Sequence, residues 1–247
     1  GSEILNEQRA YVIAPGRVEK LKARNPKKVD YILEYRSIKL AVIEAKSDET
    51  HVSIGVPQAK LYAEMLQIRY TYSTNGDEIY FIDMGVKDAQ GNYLIPSTEQ
   101  YVDRFPSPQE LWQMTFPYAN VWRDKFNSIG FNRDGGRNPR YYQENAINSV
   151  LNAVAEEQNR ILLTMATGTG KTRTVLGMIY RFLKTNRFKR ILFLVDRTSL
   201  GDQASDVFKE VKLEELMTLD EIYNIKGLDE KTVDKETRIQ VATVQSM

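Results

Sequence analysis

The 247-residue chain carries 34 Lys and Arg against 33 Asp and Glu, a net charge of +1, with no cysteine and one histidine, His51. That composition excludes disulfides, thiolate metal sites and histidine-based clusters or triads, and the balanced charge means that any basic groove has to be local. The length allows one large domain or two ordinary ones, and no apolar run approaches the roughly 18 residues of a membrane helix, so a soluble, cytoplasmic protein with no membrane partner is expected.

In chain order, two strand-like runs come first, 28–35 and 39–46, around Arg36-Ser37-Ile38, most simply a hairpin. The two-residue strand period puts Leu40, Val42, Glu44 and Lys46 on one face, so a carboxylate and an ammonium emerge side by side. With a three-residue turn, Asp30 on the first strand stands opposite Glu44, their Cβ atoms about 5 Å apart. Two carboxylates that close repel each other unless a cation sits between them, and hard oxygen ligands suit Mg2+. A metal there can activate water and offset charge on a scissile phosphate, with Lys46 positioning the nucleophile or stabilising the pentavalent state. The helical pattern 58–67 places Gln58 and Tyr62 on one face, able to point together at the strand ends. From the residues alone two readings stand, a metal-dependent phosphodiesterase site and a structural hairpin with charges on a solvated face.

Strands are expected at 68–72 and 78–82 around an Asn75-Gly76 turn, with their aromatic stripes facing a core. Phe105-Pro106-Ser107-Pro108-Gln109-Glu110-Leu111-Trp112 marks a helix start, and 116–138, ending in Asp134-Gly135-Gly136-Arg137-Asn138, reads as a linker. The expected domains are therefore 1–115 and 139–247. Trp112 and Trp122 are assigned to interdomain packing and His51 to a loop.

From 139 onward strands and helices alternate, as in parallel α/β sheets. Ile161-Leu162-Leu163 reads as a buried strand entering Thr167-Gly168-Thr169-Gly170-Lys171-Thr172, and 173–184 as an amphipathic helix with Val175, Leu176, Ile179 and Leu183 on one face. This is the pattern of a nucleoside triphosphate site. Gly168 and Gly170 let backbone amides approach phosphate oxygens, and the helix directs its positive end at them. Lys171 adds a point charge for the outer phosphates, and the Thr172 hydroxyl is placed for Mg2+. The first glycine of the general pattern is replaced by Met165.

These residues carry a family resemblance. Asp30, Glu44-Ala45-Lys46 and Gln58-x-x-x-Tyr62 are similar to the PD-(D/E)xK nuclease signature in its Gln-x-x-x-Tyr variant. Leu40-Ala41-Val42-Ile43-Glu44-Ala45-Lys46 resembles the form found in restriction (R) subunits of type I restriction-modification enzymes, as do 11–17, 58–66, 73–76 and 105–112. Arg140-Tyr141-Tyr142-Gln143 resembles the adenine-reading glutamine segment of superfamily 2 helicases, and 165–172 their phosphate loop. Leu194-Val195-Asp196-Arg197 with Gln203, and Ala242-Thr243-Val244-Gln245-Ser246, resemble segments that contact the DNA backbone in such motors.

The resemblance implies an α/β protein, a restriction-endonuclease-like mixed-sheet domain followed by the N-terminal part of a RecA-like P-loop NTPase domain. It implies Asp30, Glu44, Lys46, Gln58 and Tyr62 as the nuclease set, with Asp30 and Glu44 on Mg2+. Gln143, Thr167, Gly168, Thr169, Gly170, Lys171 and Thr172 are implied for ATP, Thr172 also for its Mg2+. It further implies ATP-driven translocation of double-stranded DNA, cleavage away from the recognition site, and methyltransferase and specificity subunits as partners. Two departures stand out: the family's N-terminal helix with a further acid is not seen, and the chain stops at Met247, before the acidic pair of the ATPase and the second motor domain. A fragment without appreciable ATPase of its own is therefore expected. A DNA repair nuclease-helicase, which would lack methylase partners, and a non-catalytic DNA-binding module are the alternatives.

Overall fold

The computed structural model describes residues 12–15, 29–88, 90–130, 139–196, 198–214, 217–228 and 234–244. They divide into two compact units between Ala119 and Asn120. Residues 11, 16–17, Arg137, Arg197, Gln245 and Ser246, named above, lie outside the described residues.

In the first unit β1 (Val12–Pro15), β2 (Tyr31–Tyr35), β3 (Ile38–Ala45), β4 (Tyr70–Thr74), β5 (Ile79–Asp83) and, after the short hairpin β6 (Val86–Lys87) and β7 (Tyr93–Ile95), β8 (Thr98–Val102) are the strands. A six-stranded sheet runs β1-β2-β3-β4-β5-β8. Only β3 and β4 pair in parallel, because helix α1 (Val56–Leu66) carries the chain back between them. α1 covers one face, with Ile32, Val42 and Tyr62 in its core cluster. Helix α2 (Pro108–Thr115) covers the other, where Leu33, Ile43, Tyr72 and Phe81 meet Leu111 and Trp112. Buried on both faces from Leu40 to Glu44, β3 carries a continuous apolar run, Leu40-Ala41-Val42-Ile43, that leads into Glu44. α2 starts where the sequence places it, since Ser107 Oγ accepts from the Glu110 amide and the Glu110 carboxylate accepts from the Ser107 amide.

The second unit holds α3 (Val121–Asn127), α4 (Tyr141–Ala155), α5 (Lys171–Lys184), β9 (Ile191–Val195), α6 (Thr198–Glu210), the pair β10 (Lys212–Glu214) and β11 (Met217–Thr218), α7 (Leu219–Ile222), β12 (Ile225–Lys226) and β13 (Ile239–Thr243). Its parallel sheet runs β12-β13-β9. Leu176, Ile179 and Leu183 of α5 pack with Phe208, Ile239 and Val241, as the helical period expects. Phe126 of α3 packs with Ile147 and Leu151 of α4, and Asn120 caps α3 while donating to the Ala155 carbonyl at 2.8 Å.

Two expectations are corrected here. Ile161-Leu162-Leu163 is not a buried strand: no strand is assigned there and Leu162 is 92% exposed. A strand exists only through its ladder, and no described strand pairs with this run. Trp112 and Trp122 pack within their own units, Trp112 against Tyr35 and Phe116, Trp122 against Phe126.

Candidate functional site

Strand pairing sets the first cluster. Tyr31 pairs with Ile43, Ile32 with Val42 and Leu33 with Ala41, a register whose next step brings Asp30 to Glu44. The turn itself differs from the expected three-residue one. Arg36 and Ser37 alone form it, both at positive φ (50° and 61°), and the register shifts between Leu33 and Glu34. That bulge absorbs Leu40 and restores the pairing a three-residue turn would give.

At this end of the sheet Asp30, Glu44, Lys46, Gln58 and Tyr62 come together. Asp30 Oδ2 accepts from the Ala45 amide at 3.0 Å. Lys46 Nζ donates to Glu44 Oε1 at 2.6 Å and to Gln58 Oε1 at 3.2 Å, and Gln58 Nε2 donates to the Tyr62 hydroxyl at 2.9 Å. Four side chains thus form one chain of hydrogen bonds running from carboxylate to phenol. Glu44 is 1% exposed, and its other oxygen, Oε2, is buried without a hydrogen-bond partner. Burial above all pushes the Glu44 carboxyl upward in pKa; the Lys46 hydrogen bond and charge pull it back, and the charge of Asp30 raises it further. An orphaned buried oxygen beside a second carboxylate fits a hard divalent cation. Among the described residues no group of three or more His, Cys, Asp and Glu suited to a metal occurs, so Asp30 and Glu44 are the carboxylates on offer.

Sequence reasoning missed the wall behind Glu44. Ser73 lies opposite Glu44 in the β3–β4 register and donates from Oγ to the Val52 carbonyl at 2.6 Å. That carbonyl belongs to the 3-10 turn Val52–Gly55, capped by His51, whose Nδ1 accepts from the Ser53 amide. A Cβ on Gly55 would collide with Ser73 Oγ and come within 3.3 Å of Glu44 Cγ. The available signal was a glycine directly before Val56-Pro57, where α1 begins.

In the second unit the phosphate loop and the glutamine segment meet. Gly168 and Gly170 adopt φ of 77° and 84°, which glycine alone takes without strain. Gly170 is the N-cap of α5 with no side-chain cap, leaving the first-turn amides open to an anion. Lys171 Nζ donates to the Met165 carbonyl at 3.2 Å; Thr167 is exposed and Thr172 half-buried in the first turn of α5. Gln143 Nε2 donates to the Thr169 carbonyl at 2.9 Å while its Oε1 accepts from the Arg140 amide. The Tyr142 hydroxyl reaches the same Thr169 carbonyl at 3.3 Å, a contact the sequence did not suggest. The two carboxylates of the first cluster and Thr172 belong to different units.

Comparisons with known proteins agree on one group. The sequence profile of the family described as "Type III restriction enzyme, res subunit" matches residues 137–247. The endonuclease subunit of the type I restriction enzyme EcoAI from Escherichia coli is 40% identical over 199 residues, 79% of this chain and 24% of that protein. The EcoKI endonuclease subunit from Escherichia coli strain K12 is 40% identical over 188 residues, 74% of this chain and 16% of that protein. The chain thus spans about a quarter or less of these relatives' length. A solved fragment of an HsdR subunit of a type I restriction enzyme from Vibrio vulnificus superposes with a TM-score of 0.64 at 28% identity, covering 98% of this chain and 42% of that one.

Proposed function

Starting from a chain related to the endonuclease (R) subunits of type I restriction enzymes, with a helicase-like segment in its second half, we propose that the first unit cuts double-stranded DNA with Mg2+ and that the second binds ATP for translocation. Cleavage then falls away from the recognition site, which methyltransferase and specificity subunits read. The observation that carries this reading is the Glu44 carboxylate, buried, bonded through one oxygen to Lys46 and open at the other.

Asp30 and Glu44 would hold a divalent cation, which when bound would supply Lewis-acid activation of water and positive charge for the scissile phosphate. Lys46 keeps an ammonium beside that site, oriented from behind by Gln58, and offsets negative charge as it develops on the oxygens around phosphorus. Tyr62 fixes Gln58, so the ammonium is held before substrate arrives. In the second unit the glycine-rich loop presents amides to phosphates, Lys171 moves from loop carbonyls to phosphate oxygens, and Thr172 is the hydroxyl available to Mg2+. Gln143, bonded to the loop and to the Arg140 amide, is the side chain assigned to adenine in this reading. Among the described residues no helix is long and apolar enough to cross a membrane.

The test is made in the assembled enzyme that contains this chain. Glu44→Ala or Lys46→Ala should abolish cleavage and leave DNA-stimulated ATP hydrolysis nearly intact, whereas Lys171→Ala should remove hydrolysis and, with it, cleavage. Equal loss of both activities in the Glu44 variant would argue for one composite site and against this reading.

A further inference from the structure

With a whole-chain charge of +1, the second unit still gathers cations on one surface. The loop after α5 reads Thr185-Asn186-Arg187-Phe188-Lys189-Arg190, and Phe188, Lys189 and Arg190 are exposed. Arg187 lies 4.8 Å from the Trp122 ring centre and 5.5 Å from that of Phe188, and Lys125 of α3 lies 4.6 Å from the same Trp122. Arg238 donates to Asn186 Oδ1 at 3.3 Å. Ile191 pairs in parallel with Ile239, so Arg190 and Arg238 precede neighbouring strands, about 4.8 Å apart, at the same end of the sheet.

Among the described residues no carboxylate pairs with Lys125, Arg187, Lys189 or Arg190. Arg187 Nε is buried without a hydrogen-bond partner, so rings rather than an acid orient this guanidinium. The dipole of α5 accounts for a cation in its last turn, Lys184, but its effect fades within that turn. Lys125, Lys189, Arg190 and Arg238 lie outside that explanation.

We propose that this surface contacts the phosphate backbone of duplex DNA at a place separate from the phosphate loop and from the strand ends that resemble DNA-contacting segments. α5 is 14 residues long, which puts about 21 Å between the phosphate loop and this surface. Leu194 to Asp196 and Ala242 to Val244 stand at the other ends of β9 and β13. A protein partner would call for a desolvated apolar centre, and here cations already lie over Trp122. The same occupancy argues against stacking of single-stranded bases and for backbone contacts, which carry no sequence information. The inference rests on the DNA reading above for the identity of the polyanion alone.

The test is fluorescence anisotropy of a labelled duplex with the whole chain in EDTA, without nucleotide, between about 50 and 200 mM salt. Lys189→Gln/Arg190→Gln removes two exposed cations and keeps the ring-packed Arg187; melting checks that the fold persists. The slope of log affinity against log salt should become shallower by about 1.8, at 0.9 per phosphate, so that the affinity deficit is roughly tenfold larger at 50 mM than at 200 mM salt. The control Lys209→Gln/Lys212→Gln, two exposed lysines on α6 and β10, should keep the parent slope. An unchanged slope in the first variant would overturn the proposal, and so would an equal change in the control, which would mean net charge alone. Loss of polyglutamate binding with DNA binding retained would point to an acidic protein instead and equally overturn it. The cleavage and hydrolysis tests of the proposed function use other residues and succeed or fail independently.

Discussion

Glu44 is the residue on which the first unit's chemistry turns, and its environment makes a pH prediction. Burial raises its folded pKa above the ordinary value of 4.5, so folding tightens proton binding at this carboxyl relative to the unfolded chain. The stability this confers is fully present below the ordinary pKa and is lost as pH rises through the raised one. Glu44→Gln, neutral throughout, should therefore melt higher than the parent at pH 8 in EDTA, with the gain shrinking toward pH 4. A gain of the same size at every pH would show that packing, not charge, is what changed. Behind Glu44, Gly55→Ala should destabilise by about 1–3 kcal/mol through overpacking against Ser73, and the cost in denaturant melts should shrink when Ser73→Ala is added. Additive costs would mean that the two do not meet. Glu44 and Lys46 were legible because strand period fixes a face, and Asp30 through the expected register; Leu40 was not, because the bulge turns it to the cluster of Leu33 and Ile43, away from Val42. Gly55 and Ser73 were not, since their meeting depends on where α1 returns the chain to β4, a contact 18 residues apart in sequence.

At the level of elements, the β2–β3 hairpin was legible as a hairpin but not as a turn. Arg-Ser is a poor sequence for two residues at positive φ, a conformation that costs a side-chain-bearing residue about 1–2 kcal/mol. Ser37→Gly should therefore stabilise the chain, by about 0.5–1 kcal/mol once the greater entropy of glycine in the unfolded state is subtracted, read as a shifted urea midpoint at constant slope. Arg36 has a compensating use, stacked 5.0 Å from the Trp112 ring centre. α2 was readable from its proline-marked start and α5 from its apolar period, whereas α4 was not read as a helix. The run at 161–163 was not readable, because its apolar residues mark a strand only when a neighbour supplies the ladder. Gln143 was identified by its segment, yet its bond to Thr169 was invisible in sequence. Gln143→Ala should weaken binding of a fluorescent ATP analogue while leaving melting nearly unchanged, and equal loss of both would make Gln143 a purely structural prop.

Across the whole molecule, two units with separate cores carry two separate sets of polar residues, and a net charge near zero conceals how unevenly the charge is spread. The central claim is that Asp30 and Glu44 hold a divalent cation independently of the phosphate loop. Calorimetric titration of Mn2+ into the parent chain, Asp30→Ala and Lys171→Ala, all without nucleotide, tests it most directly. The account predicts one site in the parent and in Lys171→Ala, and its loss in Asp30→Ala. Binding that survives Asp30→Ala unchanged, or that disappears with Lys171→Ala, would contradict it.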